Sequence, residues 1–130
     1  MKIRECFEKL DLHDASIERI DRHGGDIVLR IYGGIILKEH PMSQGDFLFL
    51  EDCELTILGV TFEEAKSWED DVAAKSHPEP YFPIDEIMHA SYENGVFHLD
   101  GFKNSAPWYE WFIHAIAFEL NVHNFKRVGT

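Results

Sequence analysis

The chain has 130 residues, 45% of them apolar and 13% aromatic, enough to build one hydrophobic core without disulfide or metal staples. With 24 acidic against 12 basic residues its formal net charge is −12, which argues against nucleic acid or an anionic membrane surface as a partner, since both need clustered cations. No apolar run approaches the roughly 20 residues of a membrane-spanning helix, and the charged opening MKIRECFEKLDLHD lacks the apolar stretch of a secretory signal, so a cytoplasmic location is the expectation.

In chain order, residues 1–10 place Ile3, Cys6, Phe7 and Leu10 on one side of a short helix. The stretch HDASIERIDRHGGDIVLRIYG reads as a hairpin turning at Gly24-Gly25. Before that turn Ile17 and Ile20 stand three apart, on opposite faces of a regular strand, and a β-bulge between them would return both to one face. GDFLFLEDCELTILGVTF suggests two strands, residues 46–50 and 53–62. The period then changes. Thr61 and Glu64 form a T-x-x-E capping box, and Phe62, Ala65, Trp68 or Glu69, and Val72 recur at helical spacing, so a helix is expected after the fourth strand. KSHPEPYFP reads as a loop, too short to separate one domain from another.

DEIMHASYENGVFHLDGF is the clearest hairpin, because Asn94-Gly95 suits a type I′ turn. With those residues at its centre, Tyr92 faces Phe97, Ala90 faces Leu99, Ser91 faces His98 and His89 faces Asp100. One face is then apolar, with Met88, Ala90, Tyr92, Phe97 and Leu99, and the other polar. In PWYEWFIHAIAFELNVHNF the alternation of Phe112, His114, Ile116, Phe118, Leu120 and Val122, together with the aromatic density, favours a strand over a helix. The sum is a single domain over residues 1–130, mostly β or α+β: an antiparallel, strongly bent sheet or open barrel of roughly six to eight strands with one or two short helices.

Three groups of residues could carry chemistry. His89, His98 and Asp100 share the polar hairpin face at about 5 Å spacing, within reach of one metal ion or a His–Asp dyad. They fall one ligand short of a tetrahedral metal centre, so neither a metal nor another cofactor is expected. The second group is His13-Asp14 at the start of the first hairpin. Asp14 is expected to cap the turn by accepting from backbone N–H groups just ahead, while His13 bonds a carbonyl or packs on the sheet. The third is the acidic segment Glu63, Glu64, Glu69, Asp70 and Asp71 around Trp68, a docking patch for a basic partner with the indole as anchor. Cys6 and Cys53 have no C-x-x-C spacing and read as thiols, not a bridge. His40 and His77 each precede a proline and, like His23, His114 and His123, show no metal-ligand spacing. There is no nucleophile elbow, P-loop or dinucleotide fingerprint, so a non-catalytic protein is expected.

The segment LHDASIERI, the glycine-turn hairpin running into IVLRI, and the Trp-containing WYEWFIHAIAFEL together resemble a set of small bacterial proteins that open on an L-H-D-A/S segment. Some of these look like immunity proteins of polymorphic-toxin systems. The resemblance implies a small cytosolic β-rich domain that neutralises a partner, and no catalytic residues come with it. Three readings follow. The first is an immunity-type protein binding a cationic protein partner. The second is a small-ligand-binding β-domain with a pocket of aromatics such as Trp108, Trp111 and Phe112. The third is a metal-dependent enzyme using the His89, His98 and Asp100 face.

Overall fold

The structure, a computed structural model, describes residues 1–68 and 75–128. Among these residues twelve strands run in chain order as β1 (Lys2–Ile3), β2 (Leu10–Asp11), β3 (Ser16–His23), β4 (Asp26–Tyr32), β5 (Ile35–Ile36), β6 (Phe47–Leu58), β7 (Phe62–Ser67), β8 (Lys75–Ser76), β9 (Glu86–Glu93), β10 (Val96–Lys103), β11 (Ala106–His114) and β12 (Ala117–Val128). Eight of them are six residues or longer, in line with the expected count. All pairings are antiparallel and form one open sheet in the order β1-β12-β6-β4-β3-β9-β10-β11-β7-β8, with β2 and β5 paired beside it and β5 joining β6. The ends of this order, β1 and β8, are two-residue strands that are not joined to each other, so the sheet does not close into a barrel.

The bend comes at one weak seam. β3 and β9 share a single register pair, Ser16 with Glu86. Bonds from Asp14 N–H to the Ile87 carbonyl and from Ile17 N–H to the Asp85 carbonyl, both 2.8 Å, carry the seam onward. About this line the inner faces of two half-sheets turn toward one core. Phe7 spans it, its ring 5.3 Å from Phe97 on β10 and 5.1 Å from Phe118 on β12, both edge-on. Leu29, Leu55, Ile57, Leu99 and Trp111 fill the same cluster. At the other opening Arg22 on β3 reaches across to β7, donating to both Glu63 carboxylate oxygens at 2.9 and 2.8 Å. Its guanidinium carbon lies 5.7 Å from the Trp111 ring centroid, and Trp111 Nε1–H donates to Glu63 Oε1 at 3.2 Å.

Both hairpins match the sequence reading. In the first, a register shift between Ile17 and Arg19 is the expected bulge; Ile17 is buried and Ile20 packs on the core beside it. In the second, His89–Asp100, Ala90–Leu99, Ser91–His98 and Tyr92–Phe97 are all opposed, and Asn94 and Gly95 turn at φ 52° and 76°. One placement is corrected: a bulge between Asp100 and Gly101 leaves Met88, expected on the apolar face, as the extra residue, and puts Ile87 on the core side in its stead.

Four expectations are corrected. The helix expected after the fourth strand is not found among the described residues: Phe62–Ser67 form β7, six residues paired with β11. Phe62, Ala65 and Trp68 therefore lie on alternating faces, and Thr61 N–H donates to the His114 carbonyl at 2.9 Å instead of opening a helix. Pairing with an existing edge outweighs the local helical period. Val72 lies outside the described residues. The N-terminal helix is only a 3₁₀ turn, Phe7–Lys9, flanked by β1 and β2. The strand pair of residues 46–62 is instead one twelve-residue strand, β6, because Glu51-Asp52 is an irregularity in its pairing with β12 and not a turn. Residues 108–122 are strand as expected, but split into β11 and β12 at the Ala115-Ile116 turn.

Candidate binding face

The outer surface of the second half-sheet gathers the polar and aromatic residues. Because β9, β10, β11 and β7 are neighbours, their registers make one transverse row of His89, Asp100, Glu110 and Lys66, and a second of Ser91, His98, Phe112 and Glu64. His89 Nδ1–H donates to Asp100 Oδ1 at 2.9 Å. His98 does not join that pair. Its Nε2–H donates to Glu110 Oε2 at 2.7 Å on β11, and its ring stacks on Phe112 at 4.4 Å. The three residues expected to share one polar site thus belong to two separate His–carboxylate pairs. Among the described residues no three His, Cys, Asp or Glu side chains converge as a metal site, and neither imidazole is bonded to a hydroxyl or thiol.

Glu110, which the sequence reading did not single out, is held at both oxygens, since Trp68 Nε1–H donates to Oε1. Trp68 backbone N–H also donates to the Trp108 carbonyl at 3.0 Å, tying the end of β7 to β11. The result is a cleft of about 250 Å³ whose described lining is Trp68, Asp100, Trp108 and Glu110. Trp68 is 38% and Trp108 49% exposed, so both indoles are accessible.

The patch residues separate. Glu64 and Trp68 share this outer face, whereas Glu63 points inward and is engaged by Arg22 and Trp111. Glu69, Asp70 and Asp71 follow Trp68 directly in sequence and lie outside the described residues. Trp108, Trp111 and Phe112 line no common pocket: Trp111 is fully buried in the core, while Phe112 stacks on His98 outside it.

His13 and Asp14 lie at the seam. The turn is capped by Asp11, whose Oδ1 accepts from His13 N–H at 3.0 Å, and not by Asp14. Asp14 instead takes a left-handed φ of 66° and leaves its side chain exposed. As expected, His13 bonds a carbonyl: Nδ1–H donates to Met88 at 2.8 Å, and Nε2 faces Asp14 Oδ2 at 3.5 Å. The Met88 carbonyl and then the Asp14 charge favour the imidazolium, so the pKa of His13 is raised above 6.5.

His77 is built the other way, and His40 shares its pattern. In each, Nδ1 accepts from the N–H two residues on, across a proline that has no N–H, while Nε2–H donates to a carbonyl: Glu5 for His40 and Pro83 for His77. Burial holds His77 neutral and lowers its pKa below 6.5. The linkage signs are opposite. His13 stabilises the fold fully below pH 6.5, and that contribution is lost as pH rises through its raised folded value. The His77 contribution is present above pH 6.5 and is lost as pH falls through its lowered value. Proton NMR titration should show the His13 ring midpoint above and the His77 midpoint below 6.5; the reverse order would refute both environments.

Cys53 is buried with its Sγ–H toward the Ile31 carbonyl at 3.3 Å, and burial pushes its thiol up to about 12, so it offers no thiolate nucleophile. No helix among the described residues is long and apolar enough to cross a membrane. Comparison of the chain with protein-family models, curated proteins and solved structures finds no match.

Proposed function

We propose that this is a non-catalytic binding protein of the immunity type, which engages and neutralises a cationic protein partner through the outer face of β7, β9, β10 and β11. The observation that supports this most is the pair of exposed indoles, Trp68 and Trp108, set beside Asp100 and Glu110 on a chain of net charge −12. Exposed tryptophans are frequent anchors of protein interfaces, and surplus negative charge steers a basic partner into encounter. Phe62, 54% exposed and on the same face, extends the apolar area of the surface.

The test is capture from the native host with two baits. One is wild type. The other carries Trp68→Ala, Glu64→Lys, Asp70→Lys and Asp71→Lys; Glu63 is left unchanged because it holds Arg22. A basic protein retained by the wild type and lost by the variant, with an on-rate that falls as salt rises, is the expected result. Equal retention by both baits would place the interface elsewhere. A co-purifying small molecule with no protein would replace this reading with that of a ligand-binding domain.

A further inference from the structure

The fold contains a complete instance of what the cleft lacks. At the far opening of the sheet, Trp111 Nε1–H donates to Glu63, Glu63 takes both prongs of the Arg22 guanidinium, and that guanidinium lies 5.7 Å from the Trp111 ring centroid. On the outer face the same Trp–Glu pair is repeated: Trp68 Nε1–H donates to Glu110. Here Trp108 adds a second indole and Asp100 a second carboxylate. Asp100 Oδ1 is taken by His89, and no described donor meets its Oδ2.

No arginine of the chain can complete this second set. All five are already paired with carboxylates elsewhere: Arg4 with Glu119, Arg19 with Asp21, Arg22 with Glu63, Arg30 with Asp52 and Arg127 with Asp46. The neighbouring Lys66 places its ammonium 5.5 Å from the Phe112 ring centroid, on the next row. Residues 69–74, EDDVAA, carry acids and no cation.

We infer that the Trp68–Trp108 cleft receives the guanidinium of an arginine side chain presented by the partner protein, with Asp100 and Glu110 as its counter-charges. The inference rests on the reading of this face as the docking surface and adds the chemistry of its central contact. Arginine fits better than lysine for a physical reason. Both Glu110 oxygens are already in use, so few acceptors remain for an ammonium that needs three. A guanidinium is flat and weakly hydrated, and binds through indole stacking and a partial fork.

The test is direct titration of the protein with N-acetyl-arginine amide, N-acetyl-lysine amide and the neutral isostere N-acetyl-citrulline amide, following the three indole N–H signals by NMR. Arginine amide should move the Trp68 and Trp108 signals saturably and leave buried Trp111 still. Lysine amide should bind roughly tenfold more weakly, and citrulline amide not detectably. Trp108→Ala and Glu110→Gln should each abolish the shift with the Trp111 signal in its native place. Equal binding of lysine and arginine, shifts that survive in both variants, or no arginine binding at all would overturn the inference. The two levels separate cleanly. A basic partner captured by a protein that ignores arginine amide would sink this inference alone; arginine binding in a protein that captures no partner would sink the docking reading.

Discussion

Gly101→Ala should destabilise the fold by more than about 4 kcal/mol, beyond the ordinary range of a single substitution. A Cβ built on Gly101 would lie 2.0 Å from the Glu86 carbonyl oxygen and 3.1 Å from Ile84 Cγ2. The first of these is backbone, so no rotamer change can relieve it. Gly101 stands at the bulge where β9 and β10 change register, with the Glu86 carbonyl where its side chain would be. Urea unfolding should show a large fall in midpoint or no cooperative transition at all. A wild-type midpoint would mean that the two strands do not cross as described.

The second large effect is expected at Trp111. Trp111→Ala should cost about 3–5 kcal/mol, because the residue is fully buried and its loss leaves a cavity. It would also strip Glu63 of one donor and Arg22 of its ring, loosening the clamp that holds β3 to β7. Trp111→Phe keeps most of the volume and removes the N–H, and should cost less, about 1–2 kcal/mol. Trp68→Ala, at an accessible site, should leave the melting midpoint nearly unchanged. A Trp111→Ala protein as stable as Trp68→Ala would show that the indole does not sit in the core.

How much of this was legible in the sequence varied by residue. The Asn94-Gly95 hairpin was readable as far as His89–Asp100, since a two-residue turn fixes the register of the strands next to it, but not past the bulge that displaces Met88. The bulge after Ile17 was readable because two core-type isoleucines stood at the wrong spacing. Glu110 was not. The turn at Asn104-Ser105 pairs Lys103 with Ala106, and counting outward from it sets Asp100 against Tyr109. A register shift between Gly101 and Lys103 moves the pairing by one, so Asp100 meets Glu110 and the carboxylate arrives on the outer face. That shift turns β11 over, and no residue pattern announces it. β7 was hidden for another reason. Its residues carry a helical period and owe their strand state to β11, which lies some 45 residues further along the chain.

The two short strands that end the sheet bear on how the protein survives at high concentration. An open sheet has two rims, and a long flat rim is a template on which a second copy can add its own strand and seed a fibril. Here the two terminal strands, Lys2–Ile3 and Lys75–Ser76, are each too brief to register an incoming strand, and each carries a lysine, the residue most costly to stack against its own image. β6, twelve residues long, lies inside the sheet between β12 on one side and β4 and β5 on the other, whereas β12 meets β1 only at Leu120 and Asn121. The terminal strands themselves therefore offer no such template, and an added strand would have to pair along the parts of β12 and β7 that they leave uncovered among the described pairings.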